Sequence, residues 1–160
     1  MEKKFELTDN FIINAFGVKL FQIKCTKSFK YAKEGDLGGY VEKDENLDQE
    51  SNAWVYGDAR VSGNARVSGD ARVYGNARVS GNAEIDNNNK HCGFDCFGSA
   101  NRHTHAYLTK ENKVEITCGC FRGSIEEFEK RVEETHSGTI YEKQYKAIID
   151  VIKIKFGLTD

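Results

Sequence analysis

The sequence predicts a mainly β protein, with a stack of short parallel strands at its centre and a small α+β unit at its C-terminal end. Three observations predict this class. Six consecutive six-residue repeats occupy the middle of the chain, glycine, asparagine and aspartate supply the turns in the absence of proline, and amphipathic helical patterns occur only near the C-terminus. A chain of 160 residues has room for one ordinary domain or for small separate units.

The central repeat is the strongest pattern. It runs from Asn52 to Asn87 without a slip as NAWVYG, DARVSG, NARVSG, DARVYG, NARVSG and NAEIDN. An alanine and a β-branched residue stand two apart in each repeat, which places both on one face of a strand. Glycine with asparagine or aspartate then supplies a turn that tolerates positive φ. Because an α-helix needs apolar residues at a spacing of about 3.6, each repeat is predicted to be a short strand and a corner.

A β-branched residue followed four places later by a small one, every six positions, resembles the hexapeptide-repeat family of parallel β-helices. The resemblance implies left-handed coils of three repeats each, so six repeats make two coils. Residues 35–49 carry Leu37, Val41 and Leu47 and are interpreted as a degenerate first coil. Solenoids need capping ends that cover their open strand edges.

A coil of three repeats brings residues 18 apart onto neighbouring strands, about 4.8 Å from each other. The surface pairs predicted in this way are Tyr56 with Tyr74, Trp54 stacked on Arg72, Arg66 with Glu84, and Arg60 with Arg78. Two like charges directly opposite each other are destabilising. The arginine pair is therefore either solvated or bridged by an anion.

The ends of the chain differ from the repeat. Short apolar runs predict an N-terminal β cap over 1–34, followed by the repeat unit over 35–88 and a C-terminal α+β domain over 89–160. In that domain, 103–109 and 114–120 flank a polar turn and are predicted to form a hairpin. A capping box at Ser124 and Glu127 starts one helix, and a second helix is predicted from Tyr141 to Phe156.

Three segments resemble uncharacterised hexapeptide-repeat proteins encoded by bacteriophages and prophages. They read GDLGGYVEKDENLDQESNAWVYG, GSANRHTHAY and CGCFRGSIEEFEKRVEETHS. The resemblance implies a phage origin and brings no established activity. His105 and Ser137 stand where the group is expected to carry threonine and glycine.

Composition excludes several classes of protein. Lys and Arg number 23 against 25 Asp and Glu, a net charge of −2, so general nucleic-acid binding and attraction to anionic lipid are not expected. No apolar run approaches the roughly 20 residues of a membrane span, and no signal peptide is evident, so we expect a cytosolic protein in the host cell. Five cysteines without a secretion signal favour free thiols or metal ligands over disulfides.

The hairpin suggests a His and Cys cluster. An even-length turn centred between Glu111 and Asn112 places His105 opposite Cys118 and His103 opposite Cys120, so all four share one face. Such a set is chemically competent for zinc. However, side chains two apart on a strand lie about 6.5 Å apart, and zinc needs its sulfurs within about 5 Å. The competing interpretation is that both cysteines are small buried hydrophobes.

Two enzymatic interpretations stay open beside zinc. A thiol-dependent enzyme would use Cys118 or Cys120 as nucleophile with His103 or His136 as base, although the local sequence supplies no acid to orient that base. Many hexapeptide-repeat proteins are acyltransferases that use a histidine between trimer subunits. The repeat here contains no histidine, which argues against acyl transfer.

The interpretation we favour is a non-enzymatic binding protein without a cofactor. In it, the solenoid is a rigid stem of a homo-oligomer, most simply a trimer, with Tyr56, Tyr74 and Trp54 as an aromatic interface. The C-terminal unit captures a host defence protein or an anionic nucleotide-like signal. Arginine forks and protonatable histidines recognise phosphate, so the candidate ligand-binding residues are Arg102, His103, Arg122 and His136.

Overall fold

The computed structural model describes residues 2–159, which contain thirteen β-strands and two α-helices. The N-terminal strands form an antiparallel meander of β1 (Phe5–Ile13), β2 (Lys19–Cys25) and β3 (Leu37–Val41). Register shifts in the middle of β1, and the turn before β2 contains Gly17 at a φ of 79°. Strands were expected here from the short apolar runs.

The repeat folds as six two-residue strands. They are β4 (Trp54–Val55), β5 (Arg60–Val61), β6 (Arg66–Val67), β7 (Arg72–Val73), β8 (Arg78–Val79) and β9 (Glu84–Ile85). The pairs β4 with β7, β5 with β8 and β6 with β9 are parallel, and each joins residues 18 positions apart. One coil is therefore three repeats. The alanine and valine columns are buried, and each valine contributes roughly 1.5 to 3 kcal/mol on burial.

The segment before the repeat forms an additional, longer coil. Val41 pairs with Val61 and Leu47 bridges Val67, which are 20 positions apart rather than 18. Both Val41 and Leu47 are buried in the same core as the repeat. Leu37 differs from the expectation, because it pairs with Lys24 in the N-terminal meander and is 57% exposed.

Three of the four predicted surface pairs are direct partners in register, namely Trp54 with Arg72, Arg60 with Arg78 and Arg66 with Glu84. The ion pair of Arg66, however, is with Asp48 of the preceding coil, at 3.3 Å.

Stacking of Trp54 on Arg72 was a wrong prediction. The indole is fully buried and meets the rings of Phe5 and Phe29 edge-on, because the N-terminal segment covers this face of the first coil. Arg72 instead lies over the ring of Tyr31, 5.1 Å from its centroid. Trp54 therefore does not belong to an exposed aromatic surface.

The C-terminal unit is an antiparallel four-stranded sheet with two helices. Its strands lie in the order β10 (His91–Phe97), β11 (Arg102–Leu108), β12 (Val114–Cys118) and β13 (Phe121–Ser124). The predicted hairpin is the central pair, and the flanking strands β10 and β13 were not expected. Helix α1 (Ile125–His136) starts at the predicted capping box, and α2 is Ile140–Lys155.

This sheet lies between the helices and the end of the solenoid. Ala106, Ile116 and Cys118 belong to the core formed with the helices, whereas Tyr107 belongs to the core of the solenoid. Alternate residues of a strand point to opposite faces, so one sheet serves both cores.

The last coil makes three polar contacts with the part of the chain that follows the repeat. The N–H of Arg72 donates to Asn88 Oδ1 at 2.9 Å, and Thr117 Oγ1 donates to the carbonyl of Arg78 at 2.7 Å. The N–H of Lys110 donates to the carbonyl of Asn82 at 2.8 Å. These contacts therefore satisfy backbone groups of the last coil that otherwise invite pairing with another chain.

Within residues 2–159, no helix combines the length and the apolar character needed to cross a bilayer.

Candidate functional site: an arginine cavity between solenoid and sheet

The hairpin register differs from the prediction by one residue. His105 pairs with Thr117, and Thr104 pairs with Cys118. The cause is a three-residue loop, Lys110–Asn112, in which Asn112 adopts the left-handed region at a φ of 59°. A shift of one residue moves every side chain of a strand to the other face.

The four residues of the alternative zinc set, His103, His105, Cys118 and Cys120, are therefore not assembled on one face. Cys118 lies in the core beneath the helices and accepts a hydrogen bond from Thr104 Oγ1 at 3.3 Å. Cys120 follows the end of β12 and is exposed. Among residues 2–159, no group of three or more His, Cys, Asp and Glu side chains is placed to hold a metal ion.

A cavity of about 530 Å³ lies where the β5/β8 ladder of the solenoid meets the turn between β12 and β13. We call it the arginine cavity. Its lining residues are Asp58, Arg60, Asn76, Arg78, Arg102, His103, Gly119 and Cys120.

Two units of the fold supply the three arginines. Arg60 and Arg78 come from neighbouring strands of the solenoid, whose parallel pairing holds them side by side. Arg78 is also fixed from the other side, because its Nη1 donates to the carbonyl of Gly119 at 2.9 Å. Gly119 has a φ of 59°, and a Cβ there would collide with the Arg102 guanidinium. The turn thus needs glycine both for its backbone and to admit Arg102.

The charge of this cavity is unbalanced. Within the described residues 2–159, Asp58 is the one acidic residue of the lining, and no carboxylate forms an ion pair with Arg60, Arg78 or Arg102. Burial, and then the positive charges of Arg60 and Arg102, lowers the pKa of the Arg78 guanidinium. Perturbed groups of like charge in a concave site are typical of functional sites.

A larger cavity of about 770 Å³ adjoins the first and shares Arg60 and Arg78 with it. Its walls include Phe16 and Leu20 from the N-terminal meander and Phe121 from β13. The two cavities together combine a cationic region with a partly apolar region, whose lining also includes the acidic Glu42.

The structure brings two of the four expected ligand-binding residues into the arginine cavity, namely Arg102 and His103. Arg122 lines the adjoining cavity, but its Nε is paired with Glu115 Oε1 at 3.0 Å. His136 lies apart at the end of α1, where it packs on Tyr145 and lines a smaller cavity that also includes Arg102.

Arg60 and Arg78 are the important additions to the site. The 18-residue ladder had placed them next to each other, but it did not indicate that the turn after β12 would lie against them. The hydrogen bond from Thr117 Oγ1 to the carbonyl of Arg78 holds this turn against the two arginines.

Comparison with known proteins bears on the repeat. The family model for the YdcK β-solenoid repeat matches residues 53–69, 59–72 and 71–84. No curated protein matches the sequence. The matched residues contain the strands β4 to β8 and the start of β9, so sequence comparison and strand pairing agree on the same segment. Residues 53–84 of the chain are therefore β-solenoid repeats.

Proposed function

We propose that this protein binds an anionic, nucleotide-like small molecule, with the phosphate in the arginine cavity. The observation that carries the proposal is the convergence of three arginines from two units of the fold against a single aspartate. Uncompensated cations cost stability, because like charges held close together repel. An anion that bridges them removes this cost and gains charge-assisted hydrogen bonds.

Arginine suits this role better than lysine. The planar guanidinium presents its N–H donors in a fork that matches phosphate oxygens. The Arg78 guanidinium needs little ordering on binding, because it already donates to the carbonyl of Gly119. Such pre-organisation reduces the entropy lost on binding.

The adjoining cavity supports the nucleotide-like part of the proposal. A phosphate on Arg60 and Arg78 leaves the remainder of the ligand beside Phe16, Leu20 and Phe121. Apolar and aromatic walls with a few polar groups are typical of sites that bind flat organic ligands. A free phosphate would use the arginine cavity alone.

The resemblance to phage-encoded proteins gives this binding a biological role. We propose that the protein sequesters a nucleotide-like signal of the host's defence and performs no chemistry on it. Mass spectrometry of small molecules released by heating the protein purified from infected host cells tests this role. Recovery of a phosphorylated metabolite supports it, and recovery of none contradicts capture in the cell.

Isothermal titration calorimetry with pyrophosphate and with AMP tests the site itself. Replacing Arg78→Gln or Arg102→Gln removes a hydrogen bond to a charged group, worth about 1.5 to 3 kcal/mol, so the affinity falls by about tenfold to a hundredfold. Arg66→Gln is the matched control, because it occupies the same repeat position as Arg60 on a different strand ladder.

The control variant is expected to bind as the wild type does. If Arg66→Gln and Arg78→Gln lose affinity equally, the anion is attracted by the general positive charge of the protein and not by the arginine cavity. Absence of binding by the wild type would overturn the proposal. AMP binding more tightly than ribose 5-phosphate assigns the base to the adjoining cavity, whereas equal affinities contradict that assignment.

A further inference from the structure

Three imidazole rings form one continuous hydrogen-bonded chain that begins at the arginine cavity. The Oδ1 of Asp95 lies 2.6 Å from His103 Nδ1, and His103 Nε2 lies 2.9 Å from His105 Nδ1. His105 Nε2 lies 2.9 Å from His91 Nδ1, and His91 Nε2 lies 3.3 Å from Asn88 Oδ1. We call these five residues the histidine chain.

The sheet explains how the rings meet. His103 and His105 are two apart on β11 and share the face that points to the solenoid. Gly93 on β10 is the direct partner of His105, and a Cβ there would lie 2.6 Å from His103 Cε1 and 2.7 Å from His105 Nδ1. The contact between the two rings therefore requires a residue without a side chain at this position.

The orientation of the Asn88 side-chain amide is determined by the backbone N–H of Arg72. Asn88 Oδ1 accepts a hydrogen bond from the backbone N–H of Arg72 at 2.9 Å. Rotating the amide by half a turn would place its NH₂ group against that N–H, so the oxygen is the atom that faces His91. Both ends of the histidine chain, Asp95 and Asn88, are thus acceptors.

The number of hydrogens in the histidine chain determines its charge. The chain has four contacts, and each needs one hydrogen. Three neutral imidazoles carry one N–H each and satisfy only three contacts. Complete hydrogen bonding requires a fourth proton, which makes one of the rings an imidazolium.

The position of that charge follows from the surroundings of the rings. Burial lowers the pKa of His105 well below its usual value, and the neighbouring His91 and His103 lower it further. Burial, and then the Lys155 ammonium, lowers the pKa of His91 to about 4. His103 is the ring in direct contact with a carboxylate, at the shortest distance in the chain.

We propose that the histidine chain holds one excess proton, that His103 carries it as an imidazolium at the wall of the arginine cavity, and that anion binding in the cavity favours its retention. The coupling to anion binding rests on the proposed function, whereas the charge state of the chain does not. The charged or titratable groups that face His103 are Asp95, Asp58, Arg60, Arg78, Arg102, His105 and Cys120.

Loss of this proton reverses the direction of the hydrogen bonds that join the three imidazole rings. With three hydrogens, the least costly missing contact is the long one at Asn88, since leaving the Asp95 carboxylate opposite a bare nitrogen at 2.6 Å is worse. The hydrogens then move to Nδ1 of His105 and Nδ1 of His91, and the proton leaves to water. Two rings that lie away from the cavity thus change tautomer when His103 loses its charge.

Nuclear magnetic resonance of the full chain with ¹⁵N-labelled histidine tests the charge state directly. Below the transition we expect two protonated nitrogens on His103, with His105 and His91 protonated on Nε2. As pH rises, one transition should neutralise His103 and move the hydrogens of His105 and His91 to Nδ1. Unchanged tautomers of His105 and His91 through the titration of His103 would overturn the proposal.

Variants at the Asn88 end of the histidine chain test whether the charge of His103 depends on the whole histidine chain or only on its immediate neighbours. Asn88→Ala removes the side-chain acceptor of His91 and leaves only the backbone of Arg72 as its partner, so the fourth hydrogen is held less strongly and His103 loses its proton at a lower pH. Gly93→Ala separates the rings of His103 and His105 and uncouples their transitions. Asn89→Ala is the matched control, since it changes the next residue of the same exposed turn and should leave the titration of His103 unaltered. A titration of His103 that is the same in wild type and Asn88→Ala contradicts the dependence on the whole histidine chain.

Sulfate is the probe for the coupling, because its charge is constant over this pH range. Affinity for sulfate is expected to fall as pH rises through the His103 transition, and this dependence should vanish in His103→Gln. Tautomer reversal without sulfate binding would contradict the proposed function and support the histidine chain. Sulfate binding without pH dependence in the wild type would contradict the coupling.

Discussion

The hydroxyl groups of Tyr107 and Ser80 lie 3.5 Å apart, at the place where the C-terminal sheet covers the last coil of the solenoid. Tyr107 is fully buried, and its hydroxyl donates its one hydrogen to Glu115 Oε1 at 3.1 Å. Burial raises the pKa of this phenol. One side chain from the sheet therefore completes the solenoid core and satisfies its polar tip at the same time.

Removing that side chain is expected to be costly. Tyr107→Ala should lower the free energy of unfolding by about 3 to 5 kcal/mol, as for other large buried aromatic residues. Tyr107→Phe keeps the ring and should cost about 1 kcal/mol. Urea denaturation measures both. Tyr74→Ala is the control, because Tyr74 is 64% exposed and its loss should cost less than about 0.5 kcal/mol. Equal costs for Tyr107→Ala and Tyr74→Ala would show that the sheet does not complete the solenoid core.

Two glycines at the same repeat position should respond differently to alanine. Gly57 and Gly69 both adopt positive φ, at 55° and 62°. A Cβ at Gly57 meets open space, whereas a Cβ at Gly69 would collide with the carbonyl oxygen of Asp86 in the next coil. Gly57→Ala should cost about 1 to 2 kcal/mol from backbone strain. Gly69→Ala should exceed it by at least about 1 kcal/mol in thermal or urea unfolding, and equal costs would mean that the coils are not packed this closely.

Lys4 should make stability depend on alkaline pH. Its ammonium is buried, donates to the carbonyls of Ser51 and Ala53, and lies over the ring of Phe29. Burial lowers the pKa of Lys4 from 10.5 to about 8, so between these values the unfolded chain binds a proton that the folded chain does not. This group therefore adds stability as pH rises through that window, by up to about 3 kcal/mol.

Comparison of wild type with Lys4→Met isolates this contribution. The difference in unfolding free energy between the two proteins should grow in favour of wild type from pH 8 to pH 10.5. Lys3→Met is the control, because Lys3 forms an exposed ion pair with Asp44. A difference that stays constant with pH would show that Lys4 keeps its usual pKa in the folded protein.

The arginines that are proposed to bind the anion should lower the stability of the protein when no ligand is present. Arg60→Gln removes one of two facing like charges, so without ligand the free energy of unfolding should stay constant or rise by about 0.2 to 1 kcal/mol. The gain should shrink at high salt, which screens exposed charges. Arg66→Gln removes the ion pair with Asp48 and should not stabilise the protein. A clear loss of stability in Arg60→Gln would show that its charge is already compensated in the folded chain.

The repeat and the helices were predictable because their determinants are local. Strands every six residues follow from the alternation of alanine and valine with glycine turns, and the parallel partners Val55 and Val73 confirm the expected 18-residue ladder. The capping box at Ser124 and Glu127 forms as predicted, since it joins residues within one helical turn. The wrong position of Trp54 arose from the N-terminal segment, which no pattern inside the repeat describes.

The candidate site could not be predicted because it depends on pairing between strands, which no local sequence pattern indicates. The left-handed conformation of Asn112 made the hairpin loop odd in length, which separated His105 from Cys118. Strand β10 was not predicted at all, so His91 and Asp95 were not connected with His103. Thus the sequence by itself determined the solenoid, the helix starts and the excess of arginine on one ladder. The tertiary structure alone decided which sheet face meets the solenoid, because a one-residue change of register costs little locally yet exchanges the residues of the two faces.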